Sequence, residues 1–170
     1  MMTCINNYNI AVSAVNKCSE LLNITPPEVY FANGSDFPNP EISSIYRHKD
    51  NEIIFNDDWI NRSNELEILV TAFHETRHAY QYHCIKTKSR EDIETINVWE
   101  KEFNQYTSLS GKNTPKSDID YLKQSIEIDA IAFAYHQMKE LFGVKVKIPN
   151  VIKSVHHFKS FSRSLCKPPL

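Results

Sequence analysis

Residues 64–85 constrain this chain more than any other stretch. Asn64 with Glu67 three positions later forms a capping box, in which each side chain satisfies an amide that a helix start leaves free. Leu66, Leu69, Val70 and Phe73 follow as an apolar stripe at helical spacing, so a helix running to about Ile85 is predicted. Inside it lies His74-Glu75-Thr76-Arg77-His78, an H-E-x-x-H pattern in mostly apolar surroundings (LVTAFHETRHAY). Residues four apart on a helix are separated by about 40° around the axis and about 6 Å along it. Two imidazoles so placed can converge on one ion at about 2.0–2.1 Å from each nitrogen. Glu75 is rotated about 100° from His74, which disfavours it as a third ligand and leaves it beside the ion to accept a proton from water. The composition yields only about 0.02 such matches by accident, before a surrounding helix is required.

A catalytic zinc site uses three protein ligands and keeps one position for water, so another ligand has to come from elsewhere. A later helix is predicted to open at Ser117, with Asp120 in its first turn, and to end before Gly143. Two carboxylates sit in its most apolar part. Glu127 shares its face with Ala130, Ile131 and Ala134, and Asp129 shares its own with Ala132 and Phe133. An ionised carboxylate on so apolar a surface is costly unless it meets a cation or strong donors. Helical spacing alone leaves both in contention.

Around these two helices the pattern is mixed. A helix is predicted over residues 8–23, stopped by Pro26-Pro27, then a buried strand from Glu28 to Ala32. Glu41 to Asn56 reads as a hairpin about Lys49-Asp50-Asn51. A further helix is predicted from about Arg90 to Tyr106, opening after Ser89. With 170 residues, 41% hydrophobic and 24% charged, the chain is expected to be one domain over 1–170, carrying a helical insertion at 90–116. A basic tail covers 144–170: from Lys139 onward seven Lys/Arg face the single acid Glu140, whereas the whole chain carries −2. That balance, with no helix-turn-helix segment, argues against direct nucleic-acid binding. No apolar run reaches the roughly 20 residues of a membrane helix, so no membrane association is expected. Met1 to Asn16 lacks the basic and apolar runs of a leader, and Cys4, Cys18, Cys84 and Cys166 show no paired spacing. The expectation is a cytoplasmic protein with free thiols.

The sequence resembles the ImmA/IrrE-type metallopeptidases, which belong to the gluzincins. Those proteins pair an HExxH helix with a later helix patterned E-x-x-A-N-x-F-A. Glu127-Ile128-Asp129-Ala130-Ile131-Ala132-Phe133-Ala134 fits it, with Ile131 in place of the Asn. The resemblance spans roughly residues 42–138, and it implies a zinc ion held by His74, His78 and Glu127 with Glu75 as general base. It implies an α+β, zincin-like fold in which a small sheet containing a β-hairpin packs on the active-site helix and a second ligand-bearing helix. The strand ending in Ile54-Phe55-Asn56 would then be the sheet edge lining the cleft, where an extended peptide can pair. The implied activity is peptide-bond hydrolysis by a bacterial or mobile-element protein, on a protein or peptide substrate such as a repressor-like regulator. Two features depart from the family pattern: Ile131, and the 49-residue interval from His78 to Glu127, which holds the extra helix.

Other residues are weighed against plainer roles. Asp129 is a candidate to orient a zinc-bound histidine, and Tyr121 a candidate to stabilise an oxyanion. Arg77 is expected to pair with a nearby acid. His83, Cys84, His136 and His156-His157 are expected to be ordinary surface or core residues. The same ligands would also suit a catalytically silent binding module or a toxin-like effector domain, since ligands do not by themselves establish turnover.

Overall fold

Asn6 opens the first helix, α1 (Asn7–Leu22), by accepting the Asn9 amide on its side chain, and Asn23 closes it in the left-handed conformation at φ 51°. The structure, a computed structural model, describes residues 6–107, 115–148 and 150–153. After α1 come β1 (Glu28–Ala32), β2 (Ser44–Arg47), β3 (Glu52–Asn56) and a short helix, α2 (Asp57–Arg62). The long α3 (Glu65–Thr87) follows, then α4 (Ile93–Asn104), α5 (Pro115–Leu122), α6 (Ser125–Phe142) and α7 (Asn150–Lys153). The architecture is mixed α+β with a small three-stranded sheet.

The sheet order is β1-β3-β2, with β1 parallel and β2 antiparallel to β3. The hairpin forms as expected, with Asn51 at φ 55° in its turn. Its second strand, however, is the middle of the sheet, not its edge. EIIFN buries Ile53 and Phe55 completely, and its backbone pairs with β1 on one side and β2 on the other. The more polar SIYR strand takes the outer position, where charge protects an edge. Asn56 ends β3 fully buried. Its side chain donates to the carbonyls of Pro40 (2.9 Å) and Ile42 (2.8 Å) and accepts the amides that start α2. That six-residue helix is too short to leave a periodic signal, so sequence patterning passes over it.

The capping box at Asn64 forms as predicted, with Glu67 N donating to Asn64 Oδ1 (3.0 Å) and Asn64 N to Glu67 Oε2 (2.9 Å). From this start α3 runs through two apolar clusters. Ile68, Ala72 and Phe73 pack with α1, the sheet and the later part of α6. Tyr80, Cys84 and Ile85 pack with Ile96 and Trp99 of α4 and Ile126 of α6. Helix α4 begins at Ile93, three residues later than expected, because Asp92 and not Ser89 caps it by accepting the Thr95 amide (2.9 Å). Arg90 instead takes a positive φ of 76° and donates to the Leu22 and Asn23 carbonyls at the end of α1.

The helix expected from Ser117 to Leu141 is two helices, α5 and α6, broken at Lys123-Gln124. Gln124 is extended, and its side chain pairs with the backbone of Thr107, accepting its N–H and donating to its C=O at 2.9 Å each. Gly143 terminates α6 at φ 67°. Residues 144–148 form no helix or strand, and the rest of the basic tail from 154 lies outside the described residues, as do Cys4, Cys166 and 108–114 of the expected insertion. Cys18 and Cys84 are free and buried, and burial pushes the Cys18 thiol up to about 12. No helix among the described residues is long and apolar enough to cross a membrane.

Removing the α3 cap should matter locally. Asn64→Ala is expected to lower stability by about 1 kcal/mol, and Tm by about 2–4 °C in a thermal melt, without changing the side chains one to three turns further along.

Candidate metal centre

Helix α3 places His74 and His78 one turn apart, with their Nε2 atoms 3.0 Å from each other. Across from them α6 presents Glu127, which is fully buried. Its Oε2 lies 3.3 Å from His74 Nε2 and its Oε1 3.4 Å from His78 Nε2. Four ligands held tetrahedrally at 2.0–2.1 Å from an ion stand about 3.3–3.4 Å apart. The Nε2 atoms stand close to that spacing, and each faces a different oxygen of Glu127 at 3.3–3.4 Å, so one ligand atom from each of the three side chains lies within 4.8 Å of the others. Among the described residues, His74, His78 and Glu127 are the one group of metal-binding side chains so arranged.

Unmet bonding at the same point supports the fit. Glu127 Oε2 is buried and has no hydrogen-bond partner, a state that buried oxygens rarely tolerate and that a cation would relieve. Burial alone would raise the Glu127 carboxyl, but His78 and His74 beside it hold it well below the usual carboxylate range. Burial likewise pulls the His78 imidazole down, yet Glu127, with Glu75 and Gln81, offsets this and brings it to about 9. A divalent ion bound there must displace a proton.

The surroundings explain how these groups are held. Gln81, three residues beyond His78, donates its amide to the Ile126 carbonyl (2.9 Å) and to Asp129 Oδ2 (2.7 Å). With both amide hydrogens on acceptors, its oxygen must face His78 Nδ1 at 2.8 Å, so that nitrogen is the donor. Once an ion displaces the Nε2 proton, Nδ1 remains the donor and the Nε2 lone pair faces the ligand point, the tautomer a metal ligand needs.

Asp129 thus bears on His78 through the Gln81 amide and not by a bond of its own. It stands one residue further out, behind Gln81, because Arg77 claims it: Nε donates to Oδ2 (2.8 Å) and an Nη to Oδ1 (3.1 Å). Arg77 also lies 3.7 Å from Glu91 and stacks over the Tyr80 ring at 4.3 Å, which bears out the expectation of an acidic partner.

Glu75 is buried beside the histidines and accepts a hydrogen bond from Ser44 Oγ of β2 at 2.7 Å. A cleft of about 540 Å³ opens here, bounded by Ser44, Ile45 and Tyr46 of β2, Val70 and Thr71 of α3, and Phe103, Tyr106, Tyr121 and Ile126. Along β2 the Asn56 amide donates to the Ser43 carbonyl (2.9 Å) and Ile45 lies opposite Ile54. By antiparallel alternation the backbone groups of Ser44 and Tyr46 turn away from β3. The strand lining the cleft is therefore β2.

Tyr121 lines the cleft as a candidate there should, and burial followed by the nearby Glu127 raises its phenol well above the ordinary value. Tyr106, which patterning did not single out, donates to Glu127 Oε1 at 2.6 Å. Glu102 was likewise unforeseen: its carboxylate accepts the Ser125 and Ile126 amides (2.9 Å each) and caps α6 just ahead of Glu127. Gln81 carried a usable signal, an i+3 position from a candidate ligand. Tyr106 and Glu102 carried none, since their partners lie more than 20 residues away on another helix. Cys84 belongs to the second apolar cluster, while His83 and His136 are partly buried outside the group and His156-His157 lie outside the described residues. Comparison with protein-family models, with curated proteins and with solved structures gives no match.

The assignment of the third ligand is open to direct measurement. Glu127→Ala is expected to leave the purified protein without a stoichiometric divalent ion. Asp129→Asn should retain it with affinity weakened by roughly 10–100-fold. Equal metal content in both variants would remove Glu127 from the ligand set.

Proposed function

We propose that this protein is a zinc-dependent peptidase of zincin-like architecture, cleaving peptide bonds in a protein or peptide substrate. The observation that carries the reading is the meeting of His74, His78 and Glu127 around one point, with the Glu75 carboxylate beside it on the floor of a cleft. Two imidazoles and one carboxylate are the donor set of a catalytic zinc, with a fourth position left over. The likeness of residues 42–138 to the ImmA/IrrE-type gluzincins agrees with this, and suggests a specific protein substrate such as a repressor-like regulator.

When bound, zinc supplies Lewis acidity, polarising the scissile carbonyl and making water acidic enough to lose a proton near neutral pH. Glu75 takes that proton and returns it to the leaving amine. Ser44, by donating to Glu75 Oε1, holds the carboxylate in one rotamer and leaves Oε2 for the transfer. An extended substrate lies along β2, where the backbone groups of Ser44 and Tyr46 offer a strand's hydrogen bonds. The register of the peptide against Glu75 is then fixed by the same residue, Ser44, that orients the base. Tyr121, on the facing wall, is the candidate donor to the developing oxyanion.

Glu75→Gln separates chemistry from binding. The zinc-loaded variant is expected to keep its metal while cleavage of a quenched-fluorescent peptide library falls by about 10²–10⁴-fold. Undiminished cleavage would exclude Glu75 as the base. A zinc-loaded wild-type chain that cleaves nothing in the library would favour the silent binding module.

A further inference from the structure

We propose that Tyr106 is a positioning residue for the metal centre: its phenol occupies one oxygen of Glu127 and leaves the other as the single coordinating atom. The proposal rests on the reading of His74, His78 and Glu127 as a metal site, and concerns how the carboxylate is presented there. The two oxygens of Glu127 have unlike surroundings. Oε1 accepts the Tyr106 phenol at 2.6 Å, whereas Oε2, 3.3 Å from His74 Nε2, has no hydrogen-bond partner. A carboxylate with both oxygens free can grip an ion through both and fill a position that the substrate or water needs. Oε1 also lies 3.4 Å from His78 Nε2, so both oxygens face the ligand point, and the short O–H···O⁻ bond from Tyr106 weakens Oε1 as a donor and leaves Oε2 to the ion.

Tyr106 is 44% exposed as a residue, yet its phenol is turned inward onto Glu127. The chain on either side is tied down for that contact. Four residues before, Glu102 caps α6 through the Ser125 and Ile126 amides. One residue after, Thr107 is bonded through both backbone groups to the Gln124 side chain. Phe103 sets its ring edge-on to His78, with centroids 6.4 Å apart. The segment between the ligands thus grips the start of α6 on both sides of Tyr106. On this account the helix that lengthens the interval from His78 to Glu127 completes the centre.

The test uses the full chain titrated with cobalt(II), read by chelator competition and by the visible d–d absorption. Tyr106→Phe keeps the ring and removes one oxygen, and far-UV circular dichroism checks that the helices persist. The variant is expected to bind cobalt roughly 10–100-fold more weakly. Its absorption should weaken and shift as a second carboxylate oxygen joins the ion. Tyr46→Phe, in the same cleft but with its phenol donating to Asn51 (3.1 Å), is expected to change neither readout. Unchanged affinity and spectrum in Tyr106→Phe would overturn the proposal, even if cleavage fell, because the phenol would then act on the substrate. Equal losses in both variants would also overturn it, by reducing the effect to a general disturbance of the cleft. A wild-type chain that binds no cobalt would overturn the metal centre itself and this inference with it.

Discussion

Two carboxylates buried on one helix organise this molecule, and each is tolerated for a different reason. Asp129 meets a guanidinium in two-point contact, so its charge is neutralised inside the protein by Arg77. Removing one member of such a pair typically costs about 3–5 kcal/mol, since the other is left buried and uncompensated. Glu127 meets two imidazoles and one phenol, and one of its oxygens is left over. The first arrangement is closed. The second would suit a cation, and that difference separates a structural acid from a candidate ligand two residues away on the same helix.

Gln81 links the two. Its amide reaches Asp129 on one side and His78 on the other, so the Arg77–Asp129 pair fixes the amide, the amide fixes the imidazole tautomer, and the imidazole faces the ligand point. Such a chain transmits orientation over several residues without any of them moving far. It also accounts for Arg77 inside the H-E-x-x-H pattern: the residue between the ligands carries the anchor for the far side of the site.

How much of this could be read from the sequence depended on the range of the interaction. The capping box at Asn64, the hairpin turn at Asn51, the helical stop at Gly143 and the helical pairing of His74 with His78 are local, and their spacing states them directly. Glu127 and Asp129 were legible as costly acids, but their roles were not separable, because the partners that distinguish them come from α3. Strand order could not be read either. Whether Ile54 or Ile45 lies at the rim depends on where β1 docks, and a parallel partner more than 20 residues upstream leaves no trace in the hairpin itself. The break at Lys123-Gln124 was hidden for a similar reason: Gln124 leaves the helix to serve Thr107, a partner 17 residues away in sequence.

The two apolar clusters have a further consequence. Along α3, Phe73 belongs to one and Tyr80 to the other; along α6, Ile126 belongs to the second and Phe133 to the first. His74, His78, Glu127 and Asp129 fall in between, so the polar groups form the seam where two hydrophobic halves join. An ion gripped from both helices acts there as a rivet. Cohesion of the whole domain would then follow metal supply, since whatever binds only the folded state stabilises it by mass action.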